Sequence, residues 1–152
     1  MAEEKRLALV TGGTRGIGLA TVRRLLQQGH EVIATGRTAA MDEALPAELE
    51  KQLHVLALDL DHVDSIAPFA QWIRQNYGDV LILVNNAGVS LKNEQGHSNT
   101  AQNTSEAEFN QTMRINALAP LLLTQQFLPG MRQASYGRIV NVASLAGRSK
   151  TA

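Results

Sequence analysis

The 152-residue chain carries a formal net charge of +0 and 44% apolar residues, which describes one globular domain able to bury a sizeable core. Balanced charge supplies no field for nucleic acid or anionic lipid, and the lack of cysteine excludes disulfides and thiolate metal sites. No run reaches the length of about 18 consecutive apolar residues that a membrane span needs, and the polar, acidic start is no signal peptide. A cytoplasmic protein with neither nucleic-acid nor membrane partners is expected.

Residues 7–10 form a short apolar run that leads into a glycine-rich segment over 11–18. The spacing predicts a helix over 17–28, with Ile17, Ala20, Thr21, Leu25 and Gln28 in line and Arg23 and Arg24 turned outward. Gly29 suits its end, because glycine accepts the left-handed conformation. A strand over 31–35 and a short helix over 41–51 follow, then a third strand over 54–58. Asp61 or a neighbour is expected to cap a helix running towards Tyr77, with Pro68 in its first turn or at a kink.

The unbroken apolar run 80–84 suits a strand buried on both faces of a parallel sheet. Residues 91–104 are polar and rich in Asn, Gly and Gln, the segment most expected to move. A long helix over 106–132 and a fifth strand over 137–142 complete the pattern. Strand–helix alternation with continuous apolar strands indicates an α/β doubly wound parallel sheet in one domain over 1–152. Dinucleotide-binding sheets usually have about six strands or more, so this one is expected to be truncated after about five.

The segment Thr11-Gly-Gly-Thr-Arg-Gly-Ile-Gly18 follows a strand and opens a helix. A tight turn, close backbone approach to a pyrophosphate and close helix–strand packing all favour residues without a β-carbon, and a helix N-terminus offers N–H groups to phosphate. Gly12, Thr14, Arg15, Gly16, Ile17 and Gly18 are therefore candidate nucleotide contacts. An acidic residue after the second strand would bond a ribose 2′-OH and repel a 2′-phosphate. Here the strand ends Ala34-Thr-Gly-Arg37, with no carboxylate, and Arg15 lies in the loop nearby. Guanidinium groups pair with phosphate through charge-assisted bonds, so NADP(H) is expected rather than NAD.

The spacing Thr-Gly-x-x-x-Gly-x-Gly resembles the fingerprint of the short-chain dehydrogenase/reductase family, and further motifs follow in the same order. Asn85-Asn-Ala-Gly88 is similar to the family's sheet-stabilising motif, which implies that Asn86, Ala87 and Gly88 line the cofactor. Asp59, followed by Leu60, is similar to the aspartate that contacts adenine, and Asn141-Val-Ala-Ser144 to the strand that carries the catalytic serine. The resemblance covers residues 7–147. It implies a Rossmann-type fold and an NADP(H)-dependent oxidoreductase moving hydride between nicotinamide and a carbonyl or secondary alcohol, a 3-oxoacyl thioester among the options. It further implies a small-molecule substrate and a homo-oligomer, dimer or tetramer, in the full-length form.

Pro120 has no N–H, so the carbonyl of Asn116 loses its helical partner and becomes a fixed acceptor able to hold a water. A proline kink in a packing helix accounts for the same residue. The resemblance implies the first role, with Asn116 in a proton relay, and implies that Ser144 hydrogen-bonds the substrate carbonyl. The family's proton donor is a tyrosine with a lysine four residues later. Tyr77 and Tyr136 are followed at that distance by Leu81 and Val140, and Lys150 is preceded by Ala146.

The chain is therefore expected to bind better than it catalyses. The alternative is a catalytically incomplete fragment or pseudoenzyme that only binds nucleotide or pairs with a homologue. The fifth strand should be an unprotected edge and the long helix should show an apolar patch. His30, His54, His62 and His97 are scattered, so no metal site is expected. Trp72 and Phe69 read as core or helix-packing residues.

Overall fold

A computed structural model describes residues 4–92, 96, 97 and 99–144. Among the described residues five strands, β1 (Leu7–Thr11), β2 (Glu31–Gly36), β3 (Leu53–Ala57), β4 (Val80–Asn85) and β5 (Arg138–Asn141), pair in parallel in the order β3-β2-β1-β4-β5. The chain runs outward from β1 to β3 and then returns to β4 on the other side. This reversal opens a crevice beyond the carboxyl ends of β1 and β4, where open α/β sheets bind ligands.

Alternation along the strands divides the core between two faces. Ala8 and Val10 of β1, with Val32, Ala34, Ile82 and Val84, pack against Leu19, Val22 and Leu26 of helix α1 (Gly16–Gln27). Leu9, Ile33 and Leu83 pack on the other face against Ile73 of α3 (Ile66–Asn76) and against Leu123 and Phe127 of α5 (Ala119–Gln133). Helix α1 ends as expected at Gly29, whose φ is +88°. The His30 N–H donates to the Leu25 carbonyl at 3.1 Å and the Gly29 N–H to Leu26 at 2.9 Å, which satisfies two carbonyls of the last turn.

Several local readings are corrected. The inward stripe of α1 is Gly18, Leu19, Val22 and Leu26, whereas Ile17 is 70% exposed and Ala20 and Gln28 face solvent. The predicted stripe counted small and polar residues as core; the sheet takes the more apolar one. The helix over 41–51 shrinks to a single turn, α2 (Ala47–Glu50), started by Pro46. Asp61 caps no helix: a 3-10 turn (Val63–Ser65) leads into α3, and Pro68 occupies the first turn, where its missing N–H costs nothing. Trp72 is 44% exposed and meets Tyr77 edge-on at 5.6 Å, so it belongs to a surface pair rather than the core.

The long helix is three segments. Helix α4 (Glu106–Met113) starts at a capping box, with the Ser105 hydroxyl accepting from the Glu108 N–H and the Ser105 N–H donating to Glu108 Oε2. That N–H, then the Ser105 hydroxyl, holds the Glu108 carboxyl below the ordinary glutamate range. A π turn (Arg114–Leu118) follows, closed by the Ala119 N–H reaching back to the Arg114 carbonyl, and α5 then begins with Pro120 in its first turn. The wider turn accommodates a proline with no N–H to give.

Strand β5 forms the edge of the sheet among the described residues, and all four of its residues are exposed. Phe109, Met113, Leu118 and Leu121 leave an exposed apolar stripe along α4, the π turn and α5. Of the 91–104 loop, residues 93–95 and 98 lie outside the described residues, as do Ala146, Gly147 and Lys150. Among the described residues no helix is long and apolar enough to cross a membrane, and no three His, Cys, Asp or Glu residues are grouped to hold a metal ion.

Candidate functional site

Among the described residues, two cavities that share a wall lie at the carboxyl ends of the strands, one on the β1 side of β4 and one on its β5 side. The first, about 340 Å³, lies over the glycine-rich turn between β1 and α1. Gly12 and Gly16 hold φ values of +61° and +54°, a backbone that other residues adopt with strain. At Gly18 a β-carbon would overlap the Gly12 carbonyl oxygen and crowd Asn86 Nδ2, so helix and turn can approach only because it is absent. Helix α1 has no side-chain cap and no acid in its first turn, which leaves its N-terminus available to an anion.

The turn is locked to β4 by a residue that sequence reasoning did not single out. The Thr11 hydroxyl accepts the N–H groups of Asn86 at 3.1 Å and Ala87 at 3.0 Å. Asn86 Nδ2 donates in return to the carbonyls of Thr11 at 3.0 Å and Gly12 at 3.1 Å. Thr11 is 1% exposed, so these bonds stand out of water. The segment after β2 is tied to the same turn, with the Asp42 N–H donating to the Thr14 carbonyl at 3.0 Å and Arg23 paired to Glu43 at 3.2 Å.

Gly12, Thr14, Arg15, Gly16, Ile17, Gly18 and Arg37 line this cavity from the glycine turn and the end of β2. Leu60, Asn86, Ala87 and Gly88 line it from the opposite side. Arg15 and Arg37 are both exposed, and no carboxylate is among the lining residues. Asp59 is the expected contact that is not among the lining residues. Its Oδ1 accepts the Asp61 N–H at 3.0 Å, its Oδ2 meets His62 Nδ1 at 3.1 Å, and only its neighbours Leu58 and Leu60 reach the cavity.

The second cavity, about 870 Å³, is lined by Asn116 and Ser144 together with Asn85 and the chain from Asn86 to Ser90. Ser144 follows β5 at its carboxyl end, so both candidate catalytic residues face one space. The Asn116 side chain is committed: its Oδ1 accepts the Val89 N–H and its Nδ2 donates to the Val89 carbonyl, each at 2.8 Å. Beneath them Asn85, 4% exposed, donates through Nδ2 to Asn141 Oδ1 at 2.9 Å and ties β4 to β5.

Residues 6–152 match the family described as short chain dehydrogenase. The chain belongs to that family. The NADP-dependent 3-hydroxy acid dehydrogenase YdfG of Shigella flexneri is 34% identical over 141 residues, 93% of this chain and 55% of that protein. The uncharacterized oxidoreductase Rv1543 of Mycobacterium tuberculosis is 31% identical over 155 aligned positions, 98% of this chain and 44% of the relative. A metagenomic short-chain oxidoreductase solved in complex with NADP superposes with a TM-score of 0.87 at 34% identity, covering 100% of this chain and 67% of that one. A short-chain dehydrogenase from Streptomyces avermitilis gives 0.82 at 27% identity, covering 99% and 53%. This short chain dehydrogenase sequence thus spans about half the length of the curated relatives it matches.

Proposed function

We propose that this chain binds NADP(H) and contributes to hydride transfer between the nicotinamide and a carbonyl or secondary alcohol. The observation that carries the reading is the pair Arg15 and Arg37 on a glycine-turn cavity whose lining holds no carboxylate. The cradle fits a dinucleotide. Gly18 leaves the room a pyrophosphate approach needs, and the uncapped N-terminus of α1 meets negative charge favourably. Arg15 and Arg37 would grip the 2′-phosphate through charge-assisted bonds, while Leu58, Leu60 and Ile115 supply an apolar wall for the adenine side. The names of YdfG and of the metagenomic oxidoreductase complex support this cofactor choice.

When bound, the nicotinamide supplies or accepts the hydride. The chain's own part in the chemistry is then to orient and polarise. Ser144 would donate a hydrogen bond to the carbonyl oxygen, favouring the charge that develops there. Asn116, with its side chain engaged by Val89, would offer its main-chain carbonyl to a water next to the cleft. No tyrosine in this sequence has a lysine four residues later, so a proton donor is not assigned to it. A small carbonyl or hydroxy substrate suits the second cavity, with hydroxy acids favoured by the relative's name and 3-oxoacyl thioesters a further option.

Calorimetric titration of the wild type and of Arg37→Asp with NADPH and NADH tests the cofactor assignment. Wild type should favour NADPH by about tenfold or more, the worth of one charge-assisted contact, and the substitution should abolish that preference. Equal affinity of the wild type for the two nucleotides would sink the reading.

A further inference from the structure

Val89 lines both cavities and forms the wall between them. Both of its main-chain polar groups are held by one side chain, Asn116, which grips them much as a neighbouring strand would. Asn116 stands in the π turn between Ile115, which lines the glycine-turn cavity, and Ala117, which lines the other. Isolated π turns are rare because their hydrogen-bond register competes poorly with the α-helix, so contacts from outside the helix matter for keeping one in place.

Asp61 supplies such contacts from a segment 53 residues away. Its Oδ1 accepts from Arg114 Nε at 2.8 Å and its Oδ2 from Gln111 Nε2 at 3.0 Å, one partner on the π turn and one on α4. Asp61 itself is fixed by its N–H bond to Asp59, and it directly follows Leu60 in the cavity wall. The ion pair is partly open to water, with side chains 40% and 24% exposed, so it adds little to global stability. Its effect should be local.

We propose that Asp61 is a positioning residue that couples the two cavities, holding the π turn through Gln111 and Arg114 and, through that turn, the Asn116–Val89 clamp. A nucleotide seated against Leu60 and Ile115 would then stiffen the residue that borders the carbonyl site. The functional meaning of the coupling rests on the NADP(H) reading; the clamp does not.

The test is amide hydrogen exchange by NMR on the full chain without ligand, in wild type, Asp61→Ala, Arg114→Ala and the double variant. Asp61→Ala should speed exchange of the Val89 N–H by about tenfold and leave β1 and β2 amides unchanged, because the opening is local. Arg114→Ala should act alike, and the double variant should be no faster than the faster single one. An unchanged Val89 rate, an equal acceleration of every amide, or additive effects would overturn the proposal. If the alanine variant does not fold, Asp61→Asn, which keeps the shape and loses the charge, should give a smaller acceleration confined to Val89 and its neighbours, and no acceleration overturns the proposal.

NADPH titration supplies the second arm. Asp61→Ala should bind NADPH about three- to tenfold more weakly than wild type, and unchanged affinity overturns the coupling. Failure of the wild type to bind NADPH would remove the nucleotide reading instead, and the exchange rates would still decide the clamp.

Discussion

The two cavities are built in different ways. Around the glycine turn, buried strands meet a backbone locked by Thr11 and Asn86, and a single added β-carbon at Gly18 would collide with it. At the far cavity, Ser144 follows an edge strand whose residues are all exposed, and one asparagine clamp holds the wall. Both walls rest on contacts between distant parts of the chain, but only the glycine turn makes them among buried strands; the far cavity makes them beside an exposed edge.

Substitutions in the core should have the largest effect. Leu9→Ala, on β1 with 0% exposure, should cost about 2–5 kcal/mol in chemical denaturation, whereas Ile139→Ala on β5, 37% exposed, should cost about 1 kcal/mol or less. Equal losses would mean that β5 is as integral to the core as β1. Next comes the lock. Thr11→Val keeps the shape but leaves the N–H groups of Asn86 and Ala87 without their acceptor, so a loss of about 1–3 kcal/mol is expected, with weaker NADPH binding. A variant as stable as wild type would show that the turn is held by packing alone.

The smallest effect concerns pH. Arg114, then Gln111, lowers the Asp61 carboxyl below its ordinary value of 3.8 in the folded state. A depressed folded value means the stabilisation is fully present above the unfolded value and is lost as pH falls through the folded one. The difference in urea midpoint between wild type and Asp61→Asn should therefore be flat at neutral pH and shrink only below about pH 3.8. A difference that grows on acidification would carry the wrong sign for this pair.

Local features of the sequence anticipated most of the lining of the glycine-turn cavity. A turn that needs positive φ at Gly12 and Gly16 and no β-carbon at Gly18 can be written with few residue types, so its signature survives in one dimension. The end of β2 is equally readable, because the presence of Arg37 and lack of a carboxylate are properties of the string itself. Asp59 was less transparent: its carboxylate meets the Asp61 N–H and His62, and it is not among the residues that line the cavity. The inward stripe of α1 was misread for a related reason. Helical spacing allows several stripes, and only contact with the sheet selects Leu19, Val22 and Leu26.

The alternation of strand and helix, the glycine-rich turn and the basic residues beside it were already determined by the sequence. Each of these is encoded by neighbours within a few residues, where backbone geometry and periodicity act directly. Tertiary structure alone decided that Thr11 locks the turn and that Asp61 reaches Arg114 across 53 residues. Those features depend on side-chain partners brought together by the crossing of β4 back beside β1, and spacing along a chain carries no record of that meeting.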